Sequence, residues 1–285
     1  MADLPMPRPN VPPLPLSEYK VLSVDIYGTV IEYKAHVLGS FRPLIERLHR
    51  PSPYLDSTPL TERSDSATKG DIEFLKLFQR HEDAIKLELA EKPLRFDQIM
   101  QEIWRRIAAD LNVTTTEEEA AAFGSKDTIA SWPTFEGTFE ALSYLSTRYR
   151  LVALSNIDKF AWNITAASDK SSLGEIFWWK VFTAEDFGTD MKRADDAKLE
   201  KLIEYATSQG FDKSQIIHVA QSLGHDHAPA KRLGLSSVFL IGDGPVWGKE
   251  AESKMALDKE LVGYAWRCKD LKEFAELVKA AFGDS

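Results

Sequence analysis

Cysteine is almost absent from this sequence, and basic residues are outnumbered by acidic ones. Cys268 is the only cysteine among 285 residues, so no internal disulfide can form. Such sparse cysteine usage is typical of reducing compartments, and we expect a cytoplasmic protein. Lys and Arg number 35 against 44 for Asp and Glu, a net charge of −9. Nucleic-acid binding needs clustered positive charge, so we expect no nucleic-acid partner.

Long apolar runs are missing as well. No segment approaches the about 20 consecutive apolar residues that a membrane-spanning helix needs, so we expect no membrane association. Hydrophobic residues nevertheless make up 44% of the chain and charged residues 28%, which is typical of a globular protein. The start of the chain is rich in proline, which predicts an extended tail over residues 1–16: Pro5, Pro7, Pro9, Pro12, Pro13 and Pro15.

Short apolar runs that end in small or polar residues predict buried parallel strands. They cover Lys20–Gly28, Arg150–Asn156, Trp178–Thr183, Ile216–Ser222 and Ser236–Gly242. Helical patterns lie between these runs, and a last amphipathic helix is expected at Leu271–Phe282. Alternating strands and helices predict an α/β fold built on an open parallel sheet. We assign residues 17–33 and 132–285 to this core.

Residues 34–131 have a different pattern, without a convincing strand. Ile99, Ile103, Ile107 and Leu111 recur at helical spacing, and helices are also expected at Ala35–Leu48, Asp71–Ala90 and Thr116–Phe123. The sequence therefore predicts an all-helical domain inserted into the α/β core after its first strand.

Polar side chains follow the ends of the predicted strands. In an open α/β sheet the active site lies outside the carboxyl ends of the strands, so these side chains are expected to converge. A carboxylate beside a hydroxyl, an amide, an ammonium and a second carboxylate can support covalent catalysis. The residues are Asp25 and Thr29, Ser155 and Asn156, Lys192, and Asp226.

Four segments in order along the chain resemble the motifs of the haloacid dehalogenase (HAD) superfamily. They are VDIYGT from Val24, ALSN from Ala153, the downstream Lys192, and HVAQSLGHDHAPAKRLGL from His218. The resemblance covers nearly the whole chain. It implies a Rossmann-like parallel core, with residues 34–131 as the superfamily's helical cap and Asp25 as the nucleophile.

The residue two positions after the nucleophile divides the chemistry of this superfamily. Phosphatases place an Asp there to protonate the leaving group, whereas this chain has Tyr27, as in the L-2-haloacid dehalogenase branch and its fungal-type members. Halide is a weak base that leaves without a proton, so no general acid is needed. The fourth motif offers one carboxylate, Asp226, where phosphatases have an acidic pair. We therefore expect a metal-independent hydrolase of small molecules, with no cofactor.

The resemblance also implies a role for each polar residue. Asp25 displaces the halide and forms an aspartyl ester that water hydrolyses, while Lys192 keeps Asp25 ionised. Ser155 binds the substrate carboxylate, Asn156 contacts the halide, and Asp226 orients the lysine or the water. The further substrate-binding candidates are Tyr27, Thr29, Gln221 and the cap residue Arg80, for which Gln79 is the rival.

Several alternatives stay open at this point. Lys198 and Lys201 compete with Lys192, and Gln221 and Leu223 stand where the dehalogenases have Ser and Asn. A Mg²⁺-dependent phosphatase of the same fold is the second hypothesis, and a non-hydrolytic biosynthetic or binding protein is the third. A homodimer is also left open.

Overall fold

One parallel sheet forms the centre of the protein. The computed structural model describes residues 6–9, 11–59, 67–88, 94–187, 194–242 and 260–284. Within these residues, the strands are β1 (Val21–Asp25), β2 (Arg150–Leu154), β3 (Lys180–Phe182), β4 (Ile216–Ala220), β5 (Ser236–Leu240) and β6 (Trp266–Cys268). They lie in the order β3-β2-β1-β4-β5-β6, and every neighbouring pair is parallel.

The helical domain predicted between the first and second strands is present. Its helices are α1 (Tyr33–Ile45), α2 (Lys69–Glu88), α3 (Phe96–Asp110), α4 (Glu117–Phe123) and α5 (Lys126–Ala130). The first four pack around the buried ring of Phe41 in α1, which stacks on Trp104 of α3 at a centroid distance of 4.6 Å and also contacts Phe74 of α2 and Phe123 of α4. Aromatic pairs of this kind add to the stability gained from burial alone.

The remaining helices cover the sheet. They are α6 (Thr138–Arg148), α7 (Lys159–Ala166), α8 (Ala194–Ser208), α9 (Ala228–Arg232) and α10 (Leu271–Phe282). A π-helical turn, Leu223–His227, connects β4 to α9. The predicted α/β architecture with a helical insertion is therefore confirmed.

The position of β1 determines where a site can form. All five of its residues are buried, because apolar side chains on both faces are covered by helices. Its neighbours are β2 and β4, and the direction of winding reverses between β1 and β4. Ligand crevices in open α/β sheets form at such a switch point, outside the carboxyl ends of the strands.

The edge strand β6 has no counterpart among the predicted strands. It is three residues long, Trp266–Cys268, and its sequence has no apolar run. It forms because Val238, Phe239 and Leu240 of β5 pair with it along the ladder. Pairing across the sheet, which the local sequence does not encode, therefore defines this element.

The proline-rich start of the chain packs on the sheet at the ends opposite the predicted site. The backbone of Arg8 and Pro9 approaches Gly263, and Val11 approaches Gly234, both just before strands of the sheet. Tyr19 is fully buried, and its hydroxyl accepts a hydrogen bond of 3.0 Å from the backbone N–H of Leu14. The described part of the predicted tail is thus held by specific contacts.

Tyr19→Phe is expected to lower the free energy of unfolding by about 1 kcal/mol, because it removes this hydrogen bond while keeping the ring. Urea unfolding followed by circular dichroism measures the change, with Tyr54→Phe on the cap as the matched substitution. Equal stability of wild type and Tyr19→Phe would mean that the proline-rich tail adds nothing to the free energy of unfolding through this hydrogen bond.

Within the described residues, no helix combines the length and the apolar character needed to cross a bilayer.

Candidate active site

Asp25 ends the central strand at the switch point of the sheet. The residue is 9% exposed, and its Oδ2 accepts a hydrogen bond of 2.6 Å from the Thr29 hydroxyl. The Thr29 Oγ1 in turn accepts from the backbone N–H of Gln221 at 3.0 Å, which joins the loop after β1 to the loop after β4. Gly28 makes this turn possible with φ of +88°, a conformation that costs glycine little.

A buried ion pair lies next to Asp25. The Nζ of Lys198, from α8, lies 2.6 Å from Oδ1 of Asp226, and both side chains are almost completely buried. Asp226 lies on the π-helical turn, whose first residues are held by the Ser222 side chain through the His225 N–H. The structure thus brings Lys198 to the site, while Lys192 lies outside the described residues. Lys201 is partly exposed and pairs with Glu204.

These charges shift one another's pKa values. Burial, followed by the nearby Asp226 carboxylate, raises the pKa of Asp25 to about 6, although Lys198, Thr29 and His218 offset part of the rise. Burial also opposes the ionisation of Asp226, but the Lys198 ammonium and the His218 hydrogen bond outweigh it and hold the pKa of Asp226 well below its usual range. Asp226 is therefore the permanent anion, and Asp25 is the carboxyl group that titrates.

The lysine is held in its charged form by both carboxylates. Burial alone would lower the pKa of Lys198, but Asp226 and Asp25 outweigh it, and the pKa is raised. A permanent ammonium between two carboxylates can keep Asp25 available as an anionic nucleophile.

Ser155 and Asn156 follow β2, whose last residue pairs with Asp25 in the register. The Ser155 side chain is buried, and its Oγ accepts from the Ile157 N–H at 3.4 Å, whereas Asn156 is exposed. Both residues lie at the carboxyl edge, as predicted from the sequence. Within the described part of the chain, neither side chain is hydrogen-bonded to Asp25.

Asp158, which the sequence analysis did not select, connects core and cap. It caps α7 by accepting from the Ala161 N–H at 2.8 Å, and it also accepts from the Phe96 N–H at the start of α3 at 2.6 Å. The Asp158 carboxylate therefore binds the amino ends of one core helix and one cap helix. This contact is electrostatically favourable, because the amino end of a helix attracts negative charge.

Tyr27 belongs to an aromatic cluster where cap and core meet. Its ring lies within 6 Å, centroid to centroid, of Tyr33, Phe96 and Trp132. Its hydroxyl is hydrogen-bonded to Thr165 of α7, and burial raises the pKa of the phenol. The phenol is thus neutral, and its hydroxyl is engaged with Thr165.

Gln221 lies over the turn after β1, beside Gly28. The Lys34 ammonium donates to its Oε1 at 3.5 Å, and a side chain at Gly242 would come within 2.8 Å of its Nε2. This amide therefore separates the glycine backbone after β5 from the turn that carries Thr29.

The cap presents an acidic surface toward the site. Glu82 and Asp83 of α2 lie near enough to Tyr33 to raise its pKa together with Asp25, after the larger effect of burial. Gln79 donates to Asp83 at 2.9 Å and to Glu82 at 3.2 Å, and Lys86 pairs with Glu82 at 2.7 Å. This surface carries the opposite sign to the cap arginine that the resemblance implies.

Arg80 does not join this surface. Its side chain is 67% exposed, and its guanidinium lies 4.0 Å from Asp110. Adjacent positions on a helix differ by about 100° in direction, so Gln79 faces the acidic group and Arg80 faces solvent. The structure therefore places Gln79, and not Arg80, against the acidic residues of the cap.

Arg80→Ala is expected to leave kcat and KM within about twofold of wild type, because an exposed pair with Asp110 contributes little. Gln79→Ala is the comparison, and it should change KM because Gln79 contacts both Glu82 and Asp83. Steady-state kinetics on any accepted substrate measures both. A tenfold loss in the Arg80 variant would return that residue to the site.

The donor groups at Asp25 do not suit a hard cation. Among the described residues, no cluster of at least three His, Cys, Asp or Glu side chains is arranged to hold a metal. The Oδ1 of Asp226 already accepts from Lys198 and from His218. Mg²⁺ prefers several oxygen ligands in octahedral geometry, and an oxygen beside an ammonium is a poor one.

No family model and no curated protein matches the chain. Its fold is similar to that of the L-2-haloacid dehalogenase RSc1362, at 17% identity and a TM-score of 0.64 over 92% of this chain and 99% of that one. It is also similar to the L-2-haloacid dehalogenase of Xanthobacter autotrophicus, at 14% identity and a TM-score of 0.63 over 92% and 98%. The HAD-hydrolase YfnB of Bacillus subtilis matches at 14% and 0.58 over 91% and 98%. The chain therefore has the fold of the haloacid dehalogenase superfamily, an α/β core with a helical cap.

Proposed function

We propose that the protein is a hydrolase in which Asp25 is a covalent nucleophile, and that it cleaves a carbon–halogen bond without a metal ion. The observation that carries this proposal is the placement of Asp25 at the end of β1, hydrogen-bonded to Thr29 and beside the buried Lys198–Asp226 pair. Among the described neighbours of Asp25, the Lys198 ammonium favours its ionised form. The second carboxylate there, Asp226, is paired with the same ammonium.

The reaction has two steps. The Asp25 carboxylate attacks the carbon that carries the halogen, a C–O bond forms, and the C–halogen electron pair leaves as halide. Water then attacks the carbonyl carbon of the resulting aspartyl ester and the acyl–oxygen bond breaks. The departing oxygen takes one proton and leaves as the hydroxy product, the other proton goes to solvent, and the Asp25 carboxylate is regenerated. The X. autotrophicus dehalogenase has been solved with chloropropionic acid covalently bound, which supports such an intermediate for that enzyme.

The residues around Asp25 have distinct roles in this reaction. Lys198 stabilises the anionic form of Asp25, and Asp226 holds Lys198 in place. The Thr29 hydroxyl orients the carboxylate. Ser155 and Asn156 are proposed to contact the substrate, and the aromatic ring of Tyr27 excludes water from one side of the site. Similarity to the fungal-type members of the branch is part of the same proposal.

A Mg²⁺-dependent phosphatase is the second candidate, and a non-hydrolytic biosynthetic or binding protein that retains the scaffold is the third. The phosphatase is disfavoured by the neutral, hydrogen-bonded Tyr27 and by the engagement of Asp226 with Lys198 and His218.

One assay on one sample separates these candidates. Halide and phosphate release are measured side by side on a panel of 2-haloacids and phosphate esters, with EDTA and with Mg²⁺. The proposal expects halide release that survives EDTA. Phosphate release that requires Mg²⁺ would establish the phosphatase, and no turnover of either kind would favour the third candidate.

Oxygen labelling then tests covalent catalysis. In a single turnover in H₂¹⁸O with excess enzyme, the label should enter the peptide that contains Asp25, and the product should be unlabelled. Label in the product of the first turnover would make Asp25 a general base instead.

A further inference from the structure

A histidine lies buried in the middle of the strand next to β1. His218 of β4 is completely buried and pairs in the register with Ser23 of β1. The sequence around it otherwise consists of apolar strand residues. A buried imidazole is costly unless both ring nitrogens find partners, so its contacts indicate why it is there.

Both nitrogens of His218 are engaged. The Nδ1 lies 2.8 Å from the Ser23 hydroxyl, and the Nε2 lies 3.1 Å from Oδ1 of Asp226. Asp226 is ionised and can only accept, so Nε2 carries a proton and donates it. In the neutral ring, Nδ1 then accepts from the Ser23 hydroxyl, and Ser23 thereby selects the tautomer that Asp226 needs.

The other histidines near Asp226 have different partners. His225 pairs with Asp195 at 2.8 Å, and its side chain is mostly exposed. His227 is buried, but it contacts Ser237 at 2.9 Å and the carbonyl of Ala220 at 3.0 Å. Among the described histidines, His218 is the one whose ring is hydrogen-bonded to Asp226.

We propose that His218 is a positioning residue that fixes the Asp226 carboxylate in the orientation that keeps the Lys198 ammonium beside Asp25. The proposal rests on the function proposed above. It extends the site from Asp25 to a buried chain, Ser23–His218–Asp226–Lys198, in which each member contacts the next. Neither His218 nor Ser23 touches the nucleophile itself.

The arrangement explains why one oxygen of Asp226 serves two donors. Lys198 and His218 both reach Oδ1, at 2.6 and 3.1 Å, so the imidazole fixes the direction from which the ammonium approaches. Without the His218 donor, Lys198 is the remaining partner of the Asp226 Oδ1, and the carboxylate can rotate together with the ammonium. The charged groups around His218 are Asp226 on the turn, Lys198 on α8 and Asp25 on β1.

Loss of His218 is expected to raise the pKa of Asp25. The Lys198 ammonium lowers that pKa, against burial and the Asp226 charge. Without the imidazole, the Asp226 carboxylate no longer fixes this ammonium in place, and the protonated, inactive form of Asp25 is favoured. The acidic limb of the pH–rate profile should move to higher pH, which a purely structural histidine would not cause.

Two amide substitutions separate the nitrogens. The amide of His218→Gln reaches the position of Nε2 and can still donate to Asp226, whereas the amide of His218→Asn reaches only toward Ser23. We expect His218→Asn to lower kcat by about 10- to 100-fold, as is typical when a supporting hydrogen bond to a functional group is lost. KM should stay within about threefold of wild type, and His218→Gln should restore most of kcat.

A measurement that needs no substrate tests the role of His218 separately from the proposed reaction. In protein labelled with ¹³C at the Asp carboxyls, the Asp25 signal should titrate near pH 6 in wild type. The midpoint should be higher in His218→Asn, and Ser23→Ala, which is the milder change, should move it in the same direction if His218→Asn does not fold. A shifted midpoint with no turnover on any substrate would sustain the His218 role and sink the proposed reaction. An unshifted midpoint in folded His218→Asn and Ser23→Ala, or a His218→Gln variant as impaired as His218→Asn, would overturn the role of His218.

Discussion

Replacing Asp25 with asparagine is expected to abolish turnover and to make the protein more stable at neutral pH. The amide cannot attack carbon, so the covalent step has no nucleophile, and kcat should fall by at least about 10⁴-fold. The side chain keeps nearly the same shape, and its oxygen can still accept from the Thr29 hydroxyl. The fold should therefore be unchanged.

The gain in stability follows from the raised pKa of Asp25. Its pKa is about 6 in the folded protein, whereas an aspartate in the unfolded chain has a pKa near 3.8. Between pH 3.8 and pH 6, therefore, the folded state binds more protons than the unfolded state. The free energy of unfolding therefore falls as the pH rises from about 4 to about 6, by up to about 3 kcal/mol, and the loss persists above pH 6. The amide introduced by Asp25→Asn carries no charge and avoids this loss.

Thermal unfolding of both proteins at pH 4 and pH 7.5 measures the effect, with exposed Asp169→Asn as the matched control. The melting temperature of Asp25→Asn should exceed that of wild type at pH 7.5, and the gap should narrow at pH 4. The wild-type rate should rise with pH through about 6, since the nucleophile must be ionised. Turnover within tenfold of wild type in Asp25→Asn would remove Asp25 from the nucleophile role.

Lys198→Met is expected to lower kcat by about 10²- to 10³-fold, since it removes a preorganised positive charge beside the nucleophile. It should also reduce the free energy of unfolding by about 3–5 kcal/mol, because the buried carboxylate of Asp226 loses its ammonium partner. The acidic limb of the pH–rate profile should move up, since Lys198 lowers the pKa of Asp25.

Two other lysines provide the controls. Lys201→Met lies on the same helix but is partly exposed and pairs with Glu204, so kcat should be unchanged. Lys192→Met tests the rival from the sequence motif directly. Rates are compared at a temperature where circular dichroism shows each variant to be folded. A large loss in Lys192→Met together with a normal rate in Lys198→Met would reverse the assignment.

The sequence alone was sufficient for the architecture. Alternating apolar runs and helical patterns predicted the parallel α/β core with its helical insertion, because burial on both faces of a strand requires continuous apolar residues. The motif around Asp25 and Thr29 placed a carboxylate and a hydroxyl at one strand end, where local geometry leaves little choice. The predicted boundaries of the helical insertion, residues 34–131, remain a prediction.

The tertiary structure decided which distant residues meet. Lys198 is buried and Arg80 is exposed because helix rotation and packing determine the direction of each side chain. A lysine on a helix has the same local sequence whether it faces solvent or core. Likewise, β6 exists because β5 offers it hydrogen bonds. The role proposed for His218 depends on the pairing of β4 with β1 and on the following turn, which brings Asp226 back over the strand. The sequence thus determined the position of Asp25 and its strand, while contacts between segments far apart in the chain determined the charges that surround it.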